Sequence, residues 1–255
     1  MKIASWNVNS LRVRLPQVLD WLAEARPDVL GIQETKLTDD AFPVEEIRAA
    51  GYEVAYSGQK TYNGVAILSR APFEDVITDL PGLDDPQRRI LGATIDGVRV
   101  LNLYVVNGQE VGSEKFAYKL DWLERVTDYI ARDMQRHEHY VVMGDFNIAP
   151  TDADVHDPER WHEKILCSTP EREALQKILD LGFVDTFRRF EQEANTFSWW
   201  DYRAAGFRRN AGLRIDLVLA SASLADRCTS SFIDIAPRRL ERPSDHAPAV
   251  AEFDL

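Results

Sequence analysis

Cysteine is nearly missing from this sequence. Only Cys167 and Cys228 occur, far apart, and neither sits in a CxxC or Cys/His spacing. That excludes a disulfide scaffold and a cysteine-built zinc site, and two isolated thiols predict a reducing cytoplasm. Also lacking is any apolar run long enough to span a bilayer, and the opening Met1-Lys2-Ile3-Ala4-Ser5-Trp6 has no signal-peptide core. A membrane role is therefore not expected. No GxGxxG or GxxxxGK(S/T) spacing is present, which removes support for nucleotide-binding folds. No Ser or Cys sits in an elbow motif, so a covalent triad is poorly supported. There is no basic excess either: the net charge is −12, whereas a protein that meets phosphates usually displays a basic face. Any such face must be local. Its candidate is Arg203, Arg208, Arg209 and Arg214 in a Gly- and Asn-containing loop, although charge alone favours a solvated surface run.

What the chain does have is core material. Hydrophobic residues make up 45% and aromatics 10% of 255 residues, with no repeat or Gly/Ser linker, so one domain over 1–255 is expected. Strands are predicted near Lys2–Val8, Val29–Ile32, Tyr52–Ser57, Gly64–Ser69, Ile90–Ile95, Arg99–Val105, Tyr140–Met143, Ile215–Ala220, Phe232–Ile235 and Ala249–Phe253. Helical spacing marks Leu15–Ala25, Val44–Ala50, Glu114–Arg136 and Glu171–Leu181, and Asp96-Gly97 signals a hairpin. Many strands follow one another without a helix between them. That mixture predicts two mixed or antiparallel sheets packed together with helices outside.

Polar residues gather where the apolar strands end. Asn7 and Asn9 follow the first strand, Glu34 the second, Tyr104 and Asn107 close another, and Asp145 and Asn147 follow Tyr140-Val141-Val142-Met143. Residues at i and i+2 project from one face of a strand. Each has a plainer reading: the asparagines as turn formers, Glu34 as a surface acid, Tyr104 as core. Asp216, between Ile215 and Leu217, is harder to dismiss, because a buried carboxylate without a partner is costly. His246, in Ser244-Asp245-His246, is its natural partner, since a carboxylate would hold the imidazole's tautomer and favour its protonated form. The other histidines, at 137, 139, 156 and 162, look ordinary.

The inference is one cleft at the common end of two sheets. Its oxygen-rich donors favour Mg²⁺ or Mn²⁺ over zinc. A hard metal, amides, a phenol and an imidazolium match what a phosphodiester's transition state needs. Asp145 is placed to orient and deprotonate the attacking water. Metal-assisted phosphodiester hydrolysis is the chemistry these residues reach first.

Six motifs occur in order: Trp6-Asn7-Val8-Asn9, Gln33-Glu34-Thr35-Lys36, Tyr62-Asn63-Gly64-Val65-Ala66-Ile67, Gly144-Asp145-Phe146-Asn147-Ile148-Ala149-Pro150, Leu213-Arg214-Ile215-Asp216 and Ser244-Asp245-His246-Ala247-Pro248. Together they resemble the bacterial exonuclease III family of abasic-site endonucleases, within the endonuclease/exonuclease/phosphatase superfamily. Thr196-Phe197-Ser198-Trp199-Trp200-Asp201-Tyr202-Arg203 narrows the resemblance to the exonuclease III branch. The resemblance implies a four-layered α/β sandwich, two mixed β-sheets packed face to face with helices outside. It implies Glu34 as principal metal ligand, with Asn7, Asn9 and Asp245 around the metal directly or through water. Asp145 would align the water and Asn147 would support it. His246, held by Asp216, would contact the scissile phosphate, with Tyr104 against the phosphate or leaving group and Asn107 on nearby DNA. Trp199, Leu213 and Ile215 would wall an extrahelical base-free sugar, and Arg203 would touch phosphate.

Two features depart from the pattern: Val106 stands where many relatives carry proline, and the chain is strongly acidic. The leading expectation is a Mg²⁺-dependent DNA repair nuclease that cuts 5′ to abasic sites in duplex DNA and trims 3′ ends, with a monomer as the default. The runner-up is a phosphatase or phosphodiesterase acting on a small or lipid substrate, which leaves Trp199 and the arginines without a role. A catalytically idle DNA-binding module would have lost one of Glu34, Asp145 or His246, and all three are present.

Overall fold

The computed structural model describes all residues, 1–255. In chain order the elements begin β1 (Lys2–Asn7), α1 (Leu11–Ala25), β2 (Val29–Gln33), α2 (Val44–Ala49), β3 (Glu53–Ser57), β4 (Val65–Ser69) and β5 (Glu74–Ile77). The middle of the chain forms β6 (Ile90–Ile95), β7 (Val98–Tyr104), α3 (Glu114–Asp133), β8 (His139–Asp145), α4 (Pro158–Trp161) and α5 (Thr169–Asp180). Then come β9 (Phe183–Asp185), β10 (Trp199–Trp200), β11 (Gly212–Leu213), β12 (Asp216–Ser221), α6 (Ala222–Ala225), β13 (Cys228–Ile233) and β14 (Ala249–Phe253).

Two six-stranded sheets form, ordered β13-β14-β1-β2-β4-β3 and β5-β6-β7-β8-β12-β9, with β10-β11 as a separate ribbon. Each sheet has a parallel pair at its centre, β1 with β2 and β7 with β8, and every other pairing is antiparallel. Parallel neighbours need a crossover, and α1 and α3 supply it. The β-strand alternation then sorts side chains into layers. Ile3, Val29, Ile67, Val100, Val141 and Val218 pack between the sheets. Ala4, Leu30 and Leu68 turn the other way, onto Val18 and Leu22 of α1, while Leu101, Val142 and Leu219 meet Trp122, Val126 and Leu175 of α3 and α5. The result is the four-layered sandwich, helix–sheet–sheet–helix.

The structure departs from the sequence reading in several places, among them the short elements β9, β10, β11, α4 and α6, which were not expected. Helix α1 starts at Leu11, a turn before the expected Leu15, with Pro16 inside it; past the first turn, Pro16 has no N–H to give the Arg12 carbonyl, so the helix forgoes one hydrogen bond there. Strand β13 lies earlier than Phe232–Ile235, spanning Cys228–Ile233 with a register shift between Cys228 and Ser230. Strand β5, exposed along most of its length, carries no apolar pattern to read.

Candidate active site

The central strands end together, and their ends carry the polar residues. Asp145, the last residue of β8, lies directly across from Asp216, the first of β12. The approach of β8 to β7 needs Gly144, where a Cβ would come within 1.9 Å of the Leu103 carbonyl oxygen. Beyond the strands, Asn9, Glu34, Lys36 and Asn147 all adopt positive φ, between 45° and 55°. Such backbone is uncommon outside glycine and concentrates at functional sites. It turns each chain sharply so that the side chains converge.

Convergence is direct. The Asn7 side-chain amide donates to Glu34 Oε1 and to Asp145 Oδ2, each at 2.9 Å, and so ties the two sheets' carboxylates to one group. Its own Oδ1 accepts from the Asn9 backbone N–H at 2.9 Å. Asp145 Oδ1 accepts from the Asn147 backbone N–H at 2.9 Å. The His246 Nδ1 lies 2.9 and 3.1 Å from the two Asp216 carboxylate oxygens, and its Nε2 is 3.7 Å from Asp145 Oδ2. All of Asp145, Asp216 and His246 are buried. Burial opposes charge on His246, but the Asp216 and then the Asp145 carboxylates outweigh it and raise the imidazole's pKa. Burial likewise pushes the Asp145 carboxyl up; His246 opposes this and Asp216 adds to it. Tyr104 is held protonated, well above the usual phenol range, by burial and then by the charges of Glu34 and Asp145, with the Arg89 guanidinium 4.6 Å from its ring centre.

Asp245 bridges two parts of the site. Its Oδ1 accepts from the Asn9 side-chain amide and its Oδ2 from the Trp199 indole N–H, both at 3.0 Å. Trp199 pairs with Leu213 across the β10-β11 ribbon. Leu213 and Ile215 are 0% and 1% exposed, so they back Trp199 from within the core and present no surface of their own. Asn107 is exposed and donates to Asn147 Oδ1 at 3.2 Å. It also lines an adjoining cavity of about 580 Å³, together with Gln59, Tyr62, Arg89, Gln109 and Lys115.

The arginine cluster is divided by the fold. Arg214 is buried, its guanidinium 2.7 Å from Asp154 and 2.6 Å from Asp185, so it belongs to the core and not to a basic face. Its partners lie far away in sequence, which is why the run looked like a surface patch. Arg203 is exposed and pairs with its neighbour Asp201 at 3.0 Å, apart from the converging side chains. Two residues acquire roles that spacing did not disclose. Lys36 places its ammonium 3.0 Å from Glu34 Oε2 and 2.6 Å from Asn9 Oδ1. Ser244 donates its hydroxyl to the Asn7 carbonyl at 2.6 Å and accepts from the His246 N–H at 3.1 Å. Their presence inside Gln33-Glu34-Thr35-Lys36 and Ser244-Asp245-His246 was the only available signal.

The donor set fits a hard divalent cation. Glu34, Asn9 and Asp245 offer oxygens, partly exposed and shared with movable donors, and oxygen-only donors suit such ions. Asp145, Asp216 and His246 also bring donor atoms within 4.8 Å of one another. There, however, Asp216 is already engaged by the imidazole.

Comparison with known proteins agrees with this geometry. The model of the endonuclease/exonuclease/phosphatase family matches residues 4–246. The chain is 38% identical to exodeoxyribonuclease III of Haemophilus influenzae, over 99% of this chain and 100% of that protein. It superposes with a TM-score of 0.98 on a 3′ phosphatase from Neisseria bound to a product DNA hairpin, at 52% identity and full coverage of both chains. An AP endonuclease from Archaeoglobus fulgidus superposes at 0.96 with 42% identity, again over 100% of both chains. No helix is long and apolar enough to cross a membrane.

Proposed function

The chain belongs to the endonuclease/exonuclease/phosphatase family, and within it we propose a divalent-metal-dependent DNA repair nuclease. It hydrolyses the phosphodiester 5′ to abasic sites in duplex DNA and trims 3′ ends, as a single catalytic domain over residues 1–255, a monomer in the cytoplasm. The observation that carries this reading is the convergence on Asp145 Oδ2: the Asn7 amide at 2.9 Å and the His246 Nε2 at 3.7 Å. A carboxylate held there can orient a water and take its proton. The imidazolium, its Nδ1 fixed by Asp216, presents its Nε2 proton toward a phosphate's non-bridging oxygens. Asn147 is held beside Asp145 through its backbone N–H and supports the same phosphate. The protonated Tyr104 hydroxyl is available to the leaving group. Glu34, Asn7, Asn9 and Asp245 would hold Mg²⁺, or Mn²⁺ in its place; when bound, that ion supplies charge neutralisation on the phosphate and leaving oxygen. Asn107 and Arg203 contact DNA, and Trp199, backed by Leu213 and Ile215, faces the base-free sugar.

The 52% identity to a 3′ phosphatase favours a second reading, removal of a terminal 3′-phosphate by the same machinery. End-labelled duplexes carrying an abasic analogue, a 3′-phosphate or neither, each with Mg²⁺ and with chelator, separate the two. Metal-dependent incision at the analogue supports the first reading. Release of the 3′-phosphate without incision replaces it with the second, and no reaction on any duplex returns the chain to a small phosphoester.

A further inference from the structure

Helix α3 buries a lysine where its pattern calls for an apolar residue. Phe116, Leu123, Val126 and Ile130 form the core face of the helix, and Lys119 lies on that same face, wholly buried. An ammonium has three protons to donate, and each of Lys119's has an acceptor. One goes to Glu171 Oε1. The other two go to backbone carbonyls, that of Asn147 at 2.7 Å and that of Asn107 at 3.1 Å.

This distribution is not that of a simple helix–helix ion pair. Glu171 is already occupied as the capping residue of α5, accepting from the Ser168 hydroxyl at 2.6 Å and from the backbone N–H groups of Ser168 and Leu166. Lys119 therefore links that anchored carboxylate to two loops that leave different strands of the second sheet. Those loops carry the two asparagines whose side chains meet at 3.2 Å. The Asn147 side-chain amide also donates to the Val105 carbonyl at 2.9 Å, and its backbone N–H holds Asp145. A single buried cation thus fixes the backbone on which Asn147, Asn107 and one oxygen of Asp145 depend. Neighbouring Gly108 has φ +89°, and a Cβ there would come within 3.1 Å of the Lys119 side chain, so the loop closes tightly over it.

We propose that Lys119 is a positioning residue for the hydrolytic site, acting through the backbone of Asn147 and Asn107 and not through the substrate. The inference rests on the nuclease reading given above. Its test is a double-mutant cycle in the full chain, with Lys119→Met and Asn147→Ala, measured as kcat and KM on whichever DNA duplex the wild-type protein cleaves. Asn147→Ala keeps the backbone carbonyl and N–H but removes the side chain that the lysine aims, so the cost of losing the lysine should shrink in that background, and what remains passes through Asp145 and Asn107. Lys119→Met alone should lower kcat about tenfold or more with KM changed less than about threefold, and cost under about threefold in the Asn147→Ala background. Additive losses would overturn the proposal, because a general loosening of the fold does not depend on residue 147. Arg99→Met, which breaks the buried pair with Asp133, provides that additive comparison. Should Lys119→Met not fold, the same cycle is run with Lys119→Gln, which keeps an amide to donate and should give a milder but still non-additive loss. Wild-type inactivity on the abasic, 3′-phosphate and intact duplexes would overturn the nuclease reading itself, and the inference with it.

Discussion

The two β-α-β units of this molecule deliver opposite kinds of chemistry to the same cleft. The unit β1-α1-β2 ends in Asn9, Glu34 and Lys36, all partly exposed, with Asp245 beside them. The unit β7-α3-β8 ends in Asp145 and Asn147, both buried, with Asp216 as the next strand's contribution. Donors on the first side are partly exposed side chains such as the Lys36 ammonium; on the second they are backbone N–H groups and a buried imidazolium. The difference teaches a division of labour: an exchangeable side suited to admitting a cation and DNA, and a rigid side suited to proton transfer. Only the Asn7 amide touches a carboxylate from each.

The sharpest way to break the comparison is at Asp145. Asp145→Asn removes the base but keeps a group of the same shape beside Asn7 and Asn147. Turnover should fall by about 10³-fold or more, with duplex affinity largely kept. Single-turnover cleavage and a binding titration check this together. Lost binding with an unchanged rate per bound duplex would place Asp145 on the substrate-holding side instead.

Arg214→Met tests the rigid half's foundations. Removing Arg214 leaves Asp185 without its cation and Asp154 with Arg188 alone, and breaking such a buried pair costs about 3–5 kcal/mol. Chemical denaturation would measure it. Burial raises the Asp154 carboxyl, but Arg214 and then Arg188 outweigh it, so its pKa in the folded protein lies below the usual range. Its contribution is therefore present above the unfolded carboxylate pKa and is lost as pH falls through the folded value. In the variant, the acid-side slope of stability against pH should flatten.

These same residues mark how far the sequence could be read. Strands such as Tyr140–Met143 were legible because continuous β-branched and apolar runs have few other uses. The pairing of Asp216 with His246 was legible because an aspartate inside an apolar strand requires a partner. The partners of Arg214 and Lys119 were not, since Asp154, Asp185 and Glu171 lie tens of residues away and only the fold brings them in. Lys36 was hidden differently: its motif was visible, but the reach of a flexible ammonium to Glu34 and Asn9 depends on the positive φ at both neighbouring turns.

Trp199→Ala sharpens the open half's part in selectivity. The indole N–H donates to Asp245, and Trp199 pairs with Leu213 across the ribbon. Abasic cleavage should drop about tenfold, equivalent to about 1.4 kcal/mol of packing lost with one large aromatic side chain, with a smaller loss on unmodified 3′ ends. Parallel kinetics on the two duplexes decide it; equal losses would mean that Trp199 acts only through Asp245.

The smallest expected effect tests whether the open half is built for exchange. In this structure the Lys36 ammonium bonds the Glu34 and Asn9 oxygens that are assigned to a divalent cation. A like charge so close opposes the ion's entry, and at a partly solvated site the repulsion is modest. Lys36→Met should therefore tighten Mn²⁺ binding by about three- to tenfold, read by calorimetry or by the loss of the free-ion paramagnetic signal, without any substrate present. The gain should shrink as salt screens the repulsion. Weaker binding in the variant would instead make Lys36 a support for Glu34, held in place like the residues of the buried half, and the division between the two sides would lie elsewhere.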